Sequence, residues 1–478
     1  MEKHDTMGRE PMMDVRGKRV LVVGLGKSGV ASALFLEQQG ARVAVSDAKT
    51  EEQLPQQIPL LLDHGINVES GQHGERTFRD QDLIVISPGV PFDVPQLMQA
   101  RALGIPVIGE VELAARYLKG NIVAITGSNG KTTTTALAGE ILAAAGRKVL
   151  VGGNIGTPAI SFVDIATDDT WIVLEISSFQ LETIESFHPK IAAVLNVTPD
   201  HLDRHYTFEN YTAAKARIFE NQTVQDFAIL NADNEPAAAM APKASAPVYW
   251  FSRLHKVERG AFTRGENIIW CDEAIEREIL PTSKISLKGS HNVENVLAGV
   301  CVGMLAGAEP AQIRRAISAF KAVEHRLEYV ATVRGVDYYN DSKATNVDAT
   351  IKALESFPGR IHLILGGKDK GSDYSLLNPL LKQRAKRVYT IGAAAEKIES
   401  QVRGPEVVSA GSLEIAVRRA SESATPGDVV LLAPACASFD QFDSYEHRGR
   451  VFKEQVQRLQ SRQHEREHVG TGARGGSE

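Results

Sequence analysis

The stretch from residue 121 to residue 135, Asn-Ile-Val-Ala-Ile-Thr-Gly-Ser-Asn-Gly-Lys-Thr-Thr-Thr-Thr, decides the fold of this chain. It begins with a short apolar run typical of a buried parallel strand, continues through a glycine turn, and ends in residues that open a helix. Backbone N–H groups in such a turn point at one place, and the helix N-terminus adds partial positive charge there. The stretch therefore predicts a phosphate-binding loop inside an α/β domain.

This loop departs from the strict pattern G-x-x-x-x-G-K-[ST], because Ile125 stands where that pattern has its first glycine. We interpret it as a compressed variant, in which Lys131 reaches the outer phosphates and the Thr132 hydroxyl holds Mg²⁺. The alternative is an ordinary glycine turn followed by a chance Gly-Lys-Thr. The predicted phosphate-contacting residues are Gly127, Ser128, Asn129, Gly130, Lys131, Thr132 and Thr133.

Composition limits the class of protein. A chain of 478 residues is too long for one ordinary core, which suggests two to four domains. Its 43% hydrophobic and 23% charged residues are typical of a globular protein, and a net charge of −6 argues against a dedicated nucleic-acid or membrane-surface protein. The three cysteines are far apart and predict neither a disulfide framework nor a zinc site. With no apolar leader or membrane-length run, we expect a cytoplasmic protein.

A second glycine turn lies near the start of the chain. Gly24-Leu-Gly-Lys-Ser-Gly29 follows an apolar strand, and a second strand ends at Asp47, about twenty residues after the glycines, as in dinucleotide-binding folds. The pattern alone favours NAD, but it specifies only a nucleoside diphosphate at a helix N-terminus, so a UDP-sugar fits equally well. A third strand runs into Ser87-Pro-Gly89, which is either part of the same site or an ordinary turn.

Three strands that follow the phosphate loop carry polar residues at their carboxyl ends. They deliver Asn154, Glu175 and the cluster around His201, and parallel strands would bring all three to the edge where the loop lies. A carboxylate such as Glu175 beside a bound triphosphate suits Mg²⁺, which prefers oxygen ligands. From spacing alone, His201 is either a second metal ligand or a satisfied polar residue, and Lys215 is a snorkelling lysine on a helix.

The remainder of the chain predicts a β-rich, irregular stretch over residues 223–290 and then a third α/β unit. Asn292 and Asn295 open a long helix one turn apart, where they either cap it or meet a base. In the third unit the lysines near strand ends, Lys343, Lys368 and Lys370, together with Arg326, would form an anion site at one mouth of the sheet.

Taken together, the motifs of this chain resemble those of the Mur ligases, the ATP-dependent amide-forming enzymes of peptidoglycan assembly. Each motif is weak alone, but their order over three domains is specific. The motifs are Thr126-Gly-Ser-Asn-Gly-Lys-Thr, Gly-Gly-Asn154-Ile-Gly, Leu-Glu175-Ile-Ser-Ser-Phe-Gln, Asp200-His-Leu-Asp-Arg204, Ala-Lys215-Ala-Arg-Ile, Glu-His325-Arg326, Asn-Asp341-Ser-Lys343-Ala-Thr345-Asn and Pro-Ala-Cys-Ala-Ser438-Phe-Asp-Gln-Phe.

The resemblance implies an α/β protein of three domains: a Rossmann-like N-terminal domain that binds a UDP substrate, a central P-loop ATPase-like domain and a Rossmann-like C-terminal domain. It also implies that D-glutamate is added to UDP-N-acetylmuramoyl-L-alanine through an acyl phosphate, with ATP, two Mg²⁺ ions and an N-carbamoylated Lys215. We expect a monomer, no nucleic-acid or membrane partner, and closure of the third domain during turnover. The expected ranges are residues 1–111, 112–321 and 322–460, followed by a disordered tail at 461–478.

The resemblance also implies a role for individual residues. Lys131, His201, Lys215 and Lys343 take part in catalysis. The metal ligands are Thr132, Glu175, His201 and carbamoylated Lys215. Beyond the phosphate loop, the ATP contacts are Asn292, Asn295, His325, Arg326 and Asp341. The UDP substrate meets Ser28, Asp47, Ser87, Gly89 and Asn154. The D-glutamate pocket consists of Lys343, Thr345, Lys370, Ser438 and Tyr445.

The chain departs from the family pattern at Ala48, Pro199 and His205, where relatives carry a hydroxyl, an acidic and an aromatic residue respectively. These departures affect uracil recognition and the His201 segment more than the phosphate loop. Three rival functions stay open: a nicotinamide dehydrogenase, a non-catalytic UDP-sugar sensor or NTP switch, and a folylpolyglutamate-type ligase. A dehydrogenase leaves the phosphate loop unused, and a sensor or switch leaves the lysine-rich site of the third unit unexplained. A folylpolyglutamate-type ligase should lack the first nucleotide-binding fold.

Overall fold

The computed structural model describes residues 13–287, 289–321 and 324–472. In these ranges the chain forms three β-sheets, each built from a continuous part of the sequence and each flanked by helices. The mainly parallel α/β class predicted from the sequence is confirmed. No helix within the described ranges combines the length and the apolar character that crossing a membrane requires.

The first sheet is entirely parallel and has the strand order β3-β2-β1-β4-β5. Its central strands are apolar on both faces, as parallel strands covered by helices must be. The strands are β1 (Arg19–Val23), β2 (Arg42–Asp47), β3 (Asn67–Ser70), β4 (Leu83–Ile86) and β5 (Val107–Gly109). The helices are α1 (Lys27–Gln38), α2 (Gln57–Asp63), α3 (Glu75–Arg79), α4 (Pro95–Ala102) and α5 (Glu110–Ala115).

The second sheet has the order β14-β13-β12-β11-β10-β9-β6-β8-β7 and is parallel except for the pairs β12–β13 and β13–β14. Its strands are β6 (Asn121–Thr126), β7 (Val149–Gly153), β8 (Trp171–Glu175), β9 (Ile191–Val194), β10 (Phe227–Asn231), β11 (Val248–Ser252), β12 (Gly260–Arg264), β13 (Asn267–Asp272) and β14 (Ile275–Pro281). The helices that follow its strands are α6 (Lys131–Ala144), α7 (Ser178–Leu181), α8 (Leu202–His205), α9 (Phe208–Ala216), α10 (Glu235–Ala238), α11 (Ser290–Leu305) and α12 (Pro310–Ala319). The stretch 223–290 is therefore β-rich as predicted, but most of it continues this sheet instead of being irregular.

The third sheet has the order β15-β16-β20-β17-β18-β19, with only β15 and β16 antiparallel among its pairs. Its strands are β15 (Glu328–Val333), β16 (Val336–Asn340), β17 (Ile361–Gly366), β18 (Ala385–Ile391), β19 (Glu406–Gly411) and β20 (Val429–Leu432). The helices are α13 (Val347–Glu355), α14 (Asn378–Arg384), α15 (Ala395–Gln401), α16 (Leu413–Ser423) and α17 (Tyr445–Gly472). Apolar side chains cover both faces of this sheet.

Helix α5 joins the first sheet to the second through two buried glutamates. The Glu112 carboxylate accepts hydrogen bonds from the backbone N–H groups of Glu185 (2.8 Å), Ser186 (3.0 Å) and Phe187 (3.0 Å), and it also pairs with Arg116 (2.8 Å). Glu110 accepts one from the Ile160 amide at 2.8 Å. A carboxylate that receives several backbone N–H bonds is strongly stabilised in its charged form. Despite the desolvation of Glu112, these bonds and Arg116 keep the pKa of its carboxyl below the ordinary value.

The described chain divides into two compact units. The first contains both the first and second sheets and comprises residues up to Val197, Glu209–Pro281 and Val296–Ile317; the second comprises Thr198–Phe208, Thr282–Asn295 and the described residues from Ser318 onward. The predicted domain boundaries stay predictions. Ala322 and Val323, beside the boundary predicted between residues 321 and 322, lie outside the described residues.

Helix α17 runs from Tyr445 to Gly472 and so enters the range from residue 461 that the sequence predicts to be a disordered tail, and that call stays a prediction. Residues 461–468 are mostly Arg, Gln, Glu and His without glycine or proline, and these residue types tolerate or favour a helix. The glycines that indicated a tail begin only at residue 470. Residues 473–478 lie outside the described part of the chain.

Candidate active site

The predicted phosphate loop connects β6 to α6. Gly130 precedes the first helical residue with φ 84°, a left-handed conformation that favours glycine. The Lys131 ammonium folds back over the loop and donates to the carbonyl oxygens of Gly127 (2.9 Å) and Ser128 (3.0 Å). The carbonyls that Lys131 meets are those of the loop itself, so phosphate oxygens could replace them without any change in the backbone.

Asn196, at the end of β9, fastens the outer side of this loop. Its side-chain oxygen accepts from the Asn129 amide (2.8 Å), and its side-chain nitrogen donates to the Asn129 carbonyl (3.1 Å). The Ser128 amide also donates to the Asn196 carbonyl at 2.9 Å. The strand next to β6 thus sets the shape of the loop.

Glu175 lies at the centre of the polar groups near this loop. Its carboxylate is 2% exposed and accepts from the Thr132 hydroxyl (2.6 Å) and from the Asn154 side-chain amide (2.9 Å). Because β6, β8 and β7 are parallel neighbours, with Glu175 paired to Ile125 and Gly153, the sheet brings these three side chains to one edge. A hydroxyl, an amide and a carboxylate form an oxygen-rich set that fits Mg²⁺.

Lys215 is buried on α9 behind the same loop. Its side chain is 1% exposed, and its ammonium donates to the Gly127 carbonyl (2.9 Å) and lies 4.5 Å from the centre of the Tyr211 ring. The Tyr211 hydroxyl is 3.1 Å from the Ser128 hydroxyl. The interpretation of Lys215 from spacing alone, as a snorkelling surface lysine, is therefore wrong, because α9 packs this face onto the loop. His201 belongs to the second compact unit, so its relation to Glu175 stays a prediction.

The glycine turn of the first sheet has its predicted polar residues turned onto its own backbone. Asp47 accepts from the amides of Leu25 (2.5 Å) and Lys49 (2.8 Å), and the Ser87 hydroxyl donates to the Gly24 carbonyl (2.8 Å). A Cβ atom on Gly29 would lie 1.8 Å from that carbonyl, so only glycine fits there. Asp47 and Ser87 therefore shape the turn, and their contact with a ligand stays a prediction. Ser28 and Gly89 are partly exposed and exposed, respectively, at the same edge.

In the second unit, Asp341 follows β16 and is 1% exposed. Neither of its carboxylate oxygens accepts a hydrogen bond of ordinary geometry from the described residues, and the Arg326 guanidinium is 3.6 Å away. Burial raises the pKa of Asp341 against the opposing influence of Arg326 and the Leu327 amide. A buried carboxylate whose oxygens lack well-formed hydrogen bonds is costly, so Asp341 calls for a specific explanation.

Lys343 and the residues around it form the next group. The Lys343 ammonium donates to the Tyr445 hydroxyl (3.0 Å) and lies 4.6 Å from the centre of its ring. The same ring makes an edge contact with His325, whose ring centre is 6.4 Å away. Desolvation lowers the pKa of His325, so its imidazole is neutral near pH 7. The structure therefore brings His325 and Tyr445 together with Lys343, and Thr345 follows in the same loop.

The two lysines of the loop after β17 differ in their surroundings. Lys368 is exposed, whereas the Lys370 side chain is 15% exposed and lies 3.5 Å from the Asp200 carboxylate. Asp200 also accepts from Asn346 at 2.8 Å. A backbone pairing between Lys368 and Ala437 joins this loop to the one that carries Ser438, which is buried.

Asn292 and Asn295 are both buried near the start of α11, and their side chains share a hydrogen bond of 3.0 Å. Neither of the ring nitrogens of the neighbouring His291 has a hydrogen-bond partner among the described residues. Desolvation lowers the pKa of His291 to about 3, so the ring is neutral. The structure therefore brings the two predicted asparagines together, and their contact with a base stays a prediction.

Sequence reasoning missed three supporting residues: Asn196, Tyr211 and Arg448. Arg448 is fully buried on α17 and donates to the Ser342 hydroxyl (3.0 Å) and to the carbonyls of Ser342 (2.8 Å), Cys436 (3.1 Å) and Ala437 (3.3 Å). It thereby ties the loop of Lys343 to the loop of Ser438. Asn196 could have been found from its place at a strand end, but nothing in the local sequence indicates the partners of Tyr211 or Arg448.

Three family models match consecutive parts of the chain. They are described as Mur ligase MurD-like N-terminal domain (residues 18–109), Mur ligase middle domain (residues 125–303) and Mur ligase glutamate ligase domain (residues 325–436). The matched ranges correspond to the three sheets. Each matched range contains one of the strand-edge groups described above.

Curated relatives match over nearly the whole chain. The UDP-N-acetylmuramoylalanine--D-glutamate ligase of Koribacter versatilis is 71% identical and covers 94% of this chain and 99% of its own length. The enzyme of the same name from Acidobacterium capsulatum is 60% identical over 93% of this chain and 97% of its own. Among solved structures, the UDP-N-acetylmuramate-alanine ligase MurC of Thermotoga maritima superposes with a TM-score of 0.59 at 20% identity, covering 93% of this chain and 99% of its own. MurF ligase from the same organism, solved in complex with ADP, superposes with a TM-score of 0.57 at 17% identity. The match covers 94% of this chain and 96% of that one.

Proposed function

The chain belongs to the Mur ligase family, and we propose that it uses ATP to join the carboxyl group of UDP-N-acetylmuramoyl-L-alanine to the amino group of D-glutamate. The observation that carries this assignment is the 71% identity to a ligase of that name over 94% of the chain. The reaction is an amide-forming step in the synthesis of peptidoglycan precursors.

The chemistry requires activation of a carboxylate. An ionised carboxylate resists attack by an amine because its leaving group would be oxide. In the proposed reaction the alanyl carboxylate attacks the γ-phosphorus of ATP and releases ADP, giving an acyl phosphate. The amine of D-glutamate then attacks the acyl carbon, and inorganic phosphate leaves. The protein positions the reactants and offsets the charge of several anions that approach one another.

The phosphate loop is proposed to position the triphosphate of ATP and to offset part of its charge. Amides of the loop, whose shape Asn196 fixes, would donate hydrogen bonds to the β- and γ-phosphate oxygens. The Lys131 ammonium would exchange the carbonyls of Gly127 and Ser128 for phosphate oxygens. In the second unit Asp341, with Arg326 and His325 beside it, is proposed to meet the remainder of the nucleotide, with Asn292 and Asn295 at the base. The ribose hydroxyls would supply the donors that the Asp341 oxygens lack.

The donor set around Glu175 fits Mg²⁺, and we propose that Thr132 and Glu175 hold one ion while Glu175, His201 and Lys215 belong to a second. When bound, such ions neutralise phosphate charge and polarise the phosphoryl group. Lys215 fits this role as a carbamate, because carbamoylation replaces a buried ammonium by an oxygen-bearing anion directly behind the loop. Asn154, which donates to Glu175, orients that carboxylate and faces the same edge.

The amino-acid pocket is proposed to consist of Lys343, Thr345, Lys370, Ser438 and Tyr445. Two ammonium groups in this set match the two carboxylates of glutamate. The first sheet, with Ser28, Asp47, Ser87 and Gly89 at its carboxyl edge, is proposed to bind the UDP part of the substrate. We propose a monomer, and a cytoplasmic location because ATP and nucleotide-linked sugars are the substrates.

The assignment is tested by phosphate release from ATP in the presence of UDP-N-acetylmuramoyl-L-alanine, with and without D-glutamate. We expect release that depends on all three substrates. Release without any amino-acid dependence would exclude the ligase, and NAD reduction in its place would support a dehydrogenase. A non-catalytic sensor would bind the UDP-sugar without turnover, and a folylpolyglutamate-type ligase would accept a folate in its place.

A further inference from the structure

The loop after β17 places an acidic residue between two basic ones, in the order Lys368-Asp369-Lys370. Consecutive Cα atoms are about 3.8 Å apart, so the Asp369 carboxylate is within reach of both lysine side chains. If Asp369 paired with Lys370, the positive charge proposed to bind an amino-acid carboxylate would be neutralised inside the protein. The structure shows a different arrangement.

Three other groups occupy the Asp369 carboxylate. Its Oδ2 accepts from the Lys397 ammonium on α15 at 2.8 Å, and its Oδ1 accepts from the Tyr374 hydroxyl at 2.7 Å and from the Ser372 amide at 3.2 Å. Desolvation would raise the pKa of Asp369, but Lys397 and Tyr374 outweigh it and lower the pKa. The carboxylate is therefore ionised and is directed towards α15 instead of towards Lys370.

Tyr374 links this arrangement to the neighbouring loop. Its side chain is fully buried, and its hydroxyl oxygen lies 2.9 Å from the Cys436 sulfur. Burial raises the pKa of the Cys436 thiol to about 11, so the thiol keeps its proton and can donate to the tyrosine oxygen. Cys436 stands two residues before Ser438 in the chain. The same tyrosine thus contacts two of the loops from which the proposed glutamate pocket is built.

The Lys370 ammonium forms a loose ion pair with Asp200. The two groups are 3.5 Å apart, longer than a charge-assisted hydrogen bond, and Asp200 is also engaged by Asn346. A substrate carboxylate can therefore compete for Lys370 more easily than it could against a direct pair with Asp369.

We propose that Lys397 and Tyr374 are positioning residues that hold the Asp369 carboxylate away from Lys370, so that the Lys370 ammonium stays available to a carboxylate of the incoming amino acid. The inference rests on the proposed function, since it concerns the same pocket. The Asp369 carboxylate then binds groups of the protein and not the Lys370 ammonium. The affinity for the amino acid thus depends on Lys397, which does not touch the substrate.

The test is a double-mutant cycle read out by steady-state kinetics of phosphate release. Lys397→Met keeps the apolar stem and removes the charge, so Asp369 turns to Lys370 and the KM for D-glutamate rises about tenfold. The KM for ATP and kcat change by less than about twofold, because the change acts on one pocket. Adding Asp369→Asn to Lys397→Met brings the KM for D-glutamate back to within about twofold of the wild type, because no carboxylate is left to compete.

Three further variants serve as controls. Lys352→Met removes a lysine of the same 37% exposure that pairs with Glu355 on α13, and it leaves the KM for D-glutamate unchanged. Lys397→Arg keeps the charge and retains wild-type affinity. Tyr374→Phe removes only the hydroxyl and raises the KM about threefold, since Lys397 still holds one carboxylate oxygen.

An unchanged KM in Lys397→Met overturns the inference, and so does a double variant at least as impaired as the single one, which would mean that Lys397 acts through folding. A melting curve for each variant identifies any loss of structure, and in that event the cycle is repeated with Lys397→Gln. Absence of D-glutamate-dependent phosphate release in the wild-type protein would instead contradict the proposed function itself.

Discussion

Two aspartates on neighbouring strands of the third sheet are equally buried but differ in their partners. Asp341 follows β16 at its carboxyl end, Asp428 precedes β20 at its amino end, and both are 1% exposed. Asp428 accepts from Arg360 (2.7 Å), Lys386 (2.8 Å) and the Thr425 amide (2.9 Å), whereas Asp341 accepts no hydrogen bond of ordinary geometry from the described residues and has Arg326 at 3.6 Å.

The pKa values of the two carboxyls move in opposite directions. Burial raises the pKa of Asp341. Burial would do the same to Asp428, but the bonds from Lys386, Thr425 and Arg360 outweigh it and hold the pKa of Asp428 well below the ordinary value. The buried charge at the amino edge of the sheet is therefore well paired within the protein, whereas the one at the carboxyl edge is not, as the proposed ligand contact of Asp341 requires.

If this division holds for all the parallel sheets, charges at the carboxyl edge of the second sheet should affect turnover and not stability. Lys131→Ala should reduce kcat/KM by roughly 10³-fold, because a cation beside the transferring phosphoryl group is lost. The free energy of unfolding should stay within about 0.5 kcal/mol of the wild type. Phosphate-release kinetics and urea titration followed by circular dichroism measure the two quantities.

Lys148 provides the matched control for Lys131. It lies at the amino end of β7 in the same sheet, and its ammonium also donates to two oxygens, those of Ile165 (3.0 Å) and the Thr167 hydroxyl (3.1 Å). Lys148→Ala should leave kcat/KM unchanged. Equal losses of activity in the two alanine variants would break the comparison between the edges.

At the amino edge of the third sheet, Asp428→Ala should lower the free energy of unfolding by about 3 kcal/mol, because buried His362 and the two cations lose their shared anion. Activity per folded molecule should be that of the wild type. Urea titration measures the loss of stability, and phosphate-release kinetics on the same preparation measure the activity per folded molecule. A selective rise in the KM for ATP would contradict a purely structural role of Asp428.

At the opposite edge, Asp341→Asn should raise the KM for ATP about tenfold, since a neutral amide is a weaker acceptor for ligand hydroxyls than a carboxylate. Stability at pH 7 should rise or stay the same, because the variant removes an unsatisfied buried charge. A large loss of stability would show that Asp341 supports the fold, and the contrast with Asp428 would disappear.

The smallest effect expected is in the pH dependence of stability. Asp341 has a raised pKa in the folded protein, so it binds protons more readily there than in the unfolded chain, and the wild type should gain stability relative to Asp341→Asn as the pH falls from neutral towards about 4. Asp428 has the opposite sign: its stabilisation is complete above the ordinary aspartate pKa and is lost as the pH falls through its own lower value. Thermal melts of the wild type and both variants between about pH 2 and pH 8 reach the range in which each group titrates and would reveal a reversed sign.

The sequence was informative where the partner of a residue is determined by strand order. Parallel strands bring their carboxyl ends to one edge, and so the neighbourhood of Thr132, Glu175 and Asn154 followed from the positions of β6, β8 and β7 alone. The same reasoning placed Lys343 near the end of β16, whereas Asp341 was singled out only through the family resemblance.

The sequence was uninformative where the partner is distant in the chain and the interaction is with backbone. Asp47 and Ser87 were assigned to a ligand by their position, yet both bind amides or a carbonyl of the glycine turn. Arg448 was overlooked because its partners are carbonyls of two loops that only tertiary structure places beside α17. The last turns of α17 were not predicted, because the charged, glycine-rich composition indicated a tail.

The hydrogen bonds from the backbone of residues 185–187 to the Glu112 carboxylate have a consequence for how such proteins can be recombined. Three successive amides are neutral and invariant in chemistry, so any chain that offers the same loop would accept the carboxylate, whatever its side chains. A chimera that exchanges the first sheet between relatives should therefore keep this contact whichever parent supplies α5, provided that a glutamate stands at position 112. The identity of that one side chain, more than the degree of sequence similarity, would govern whether the two sheets stay joined here.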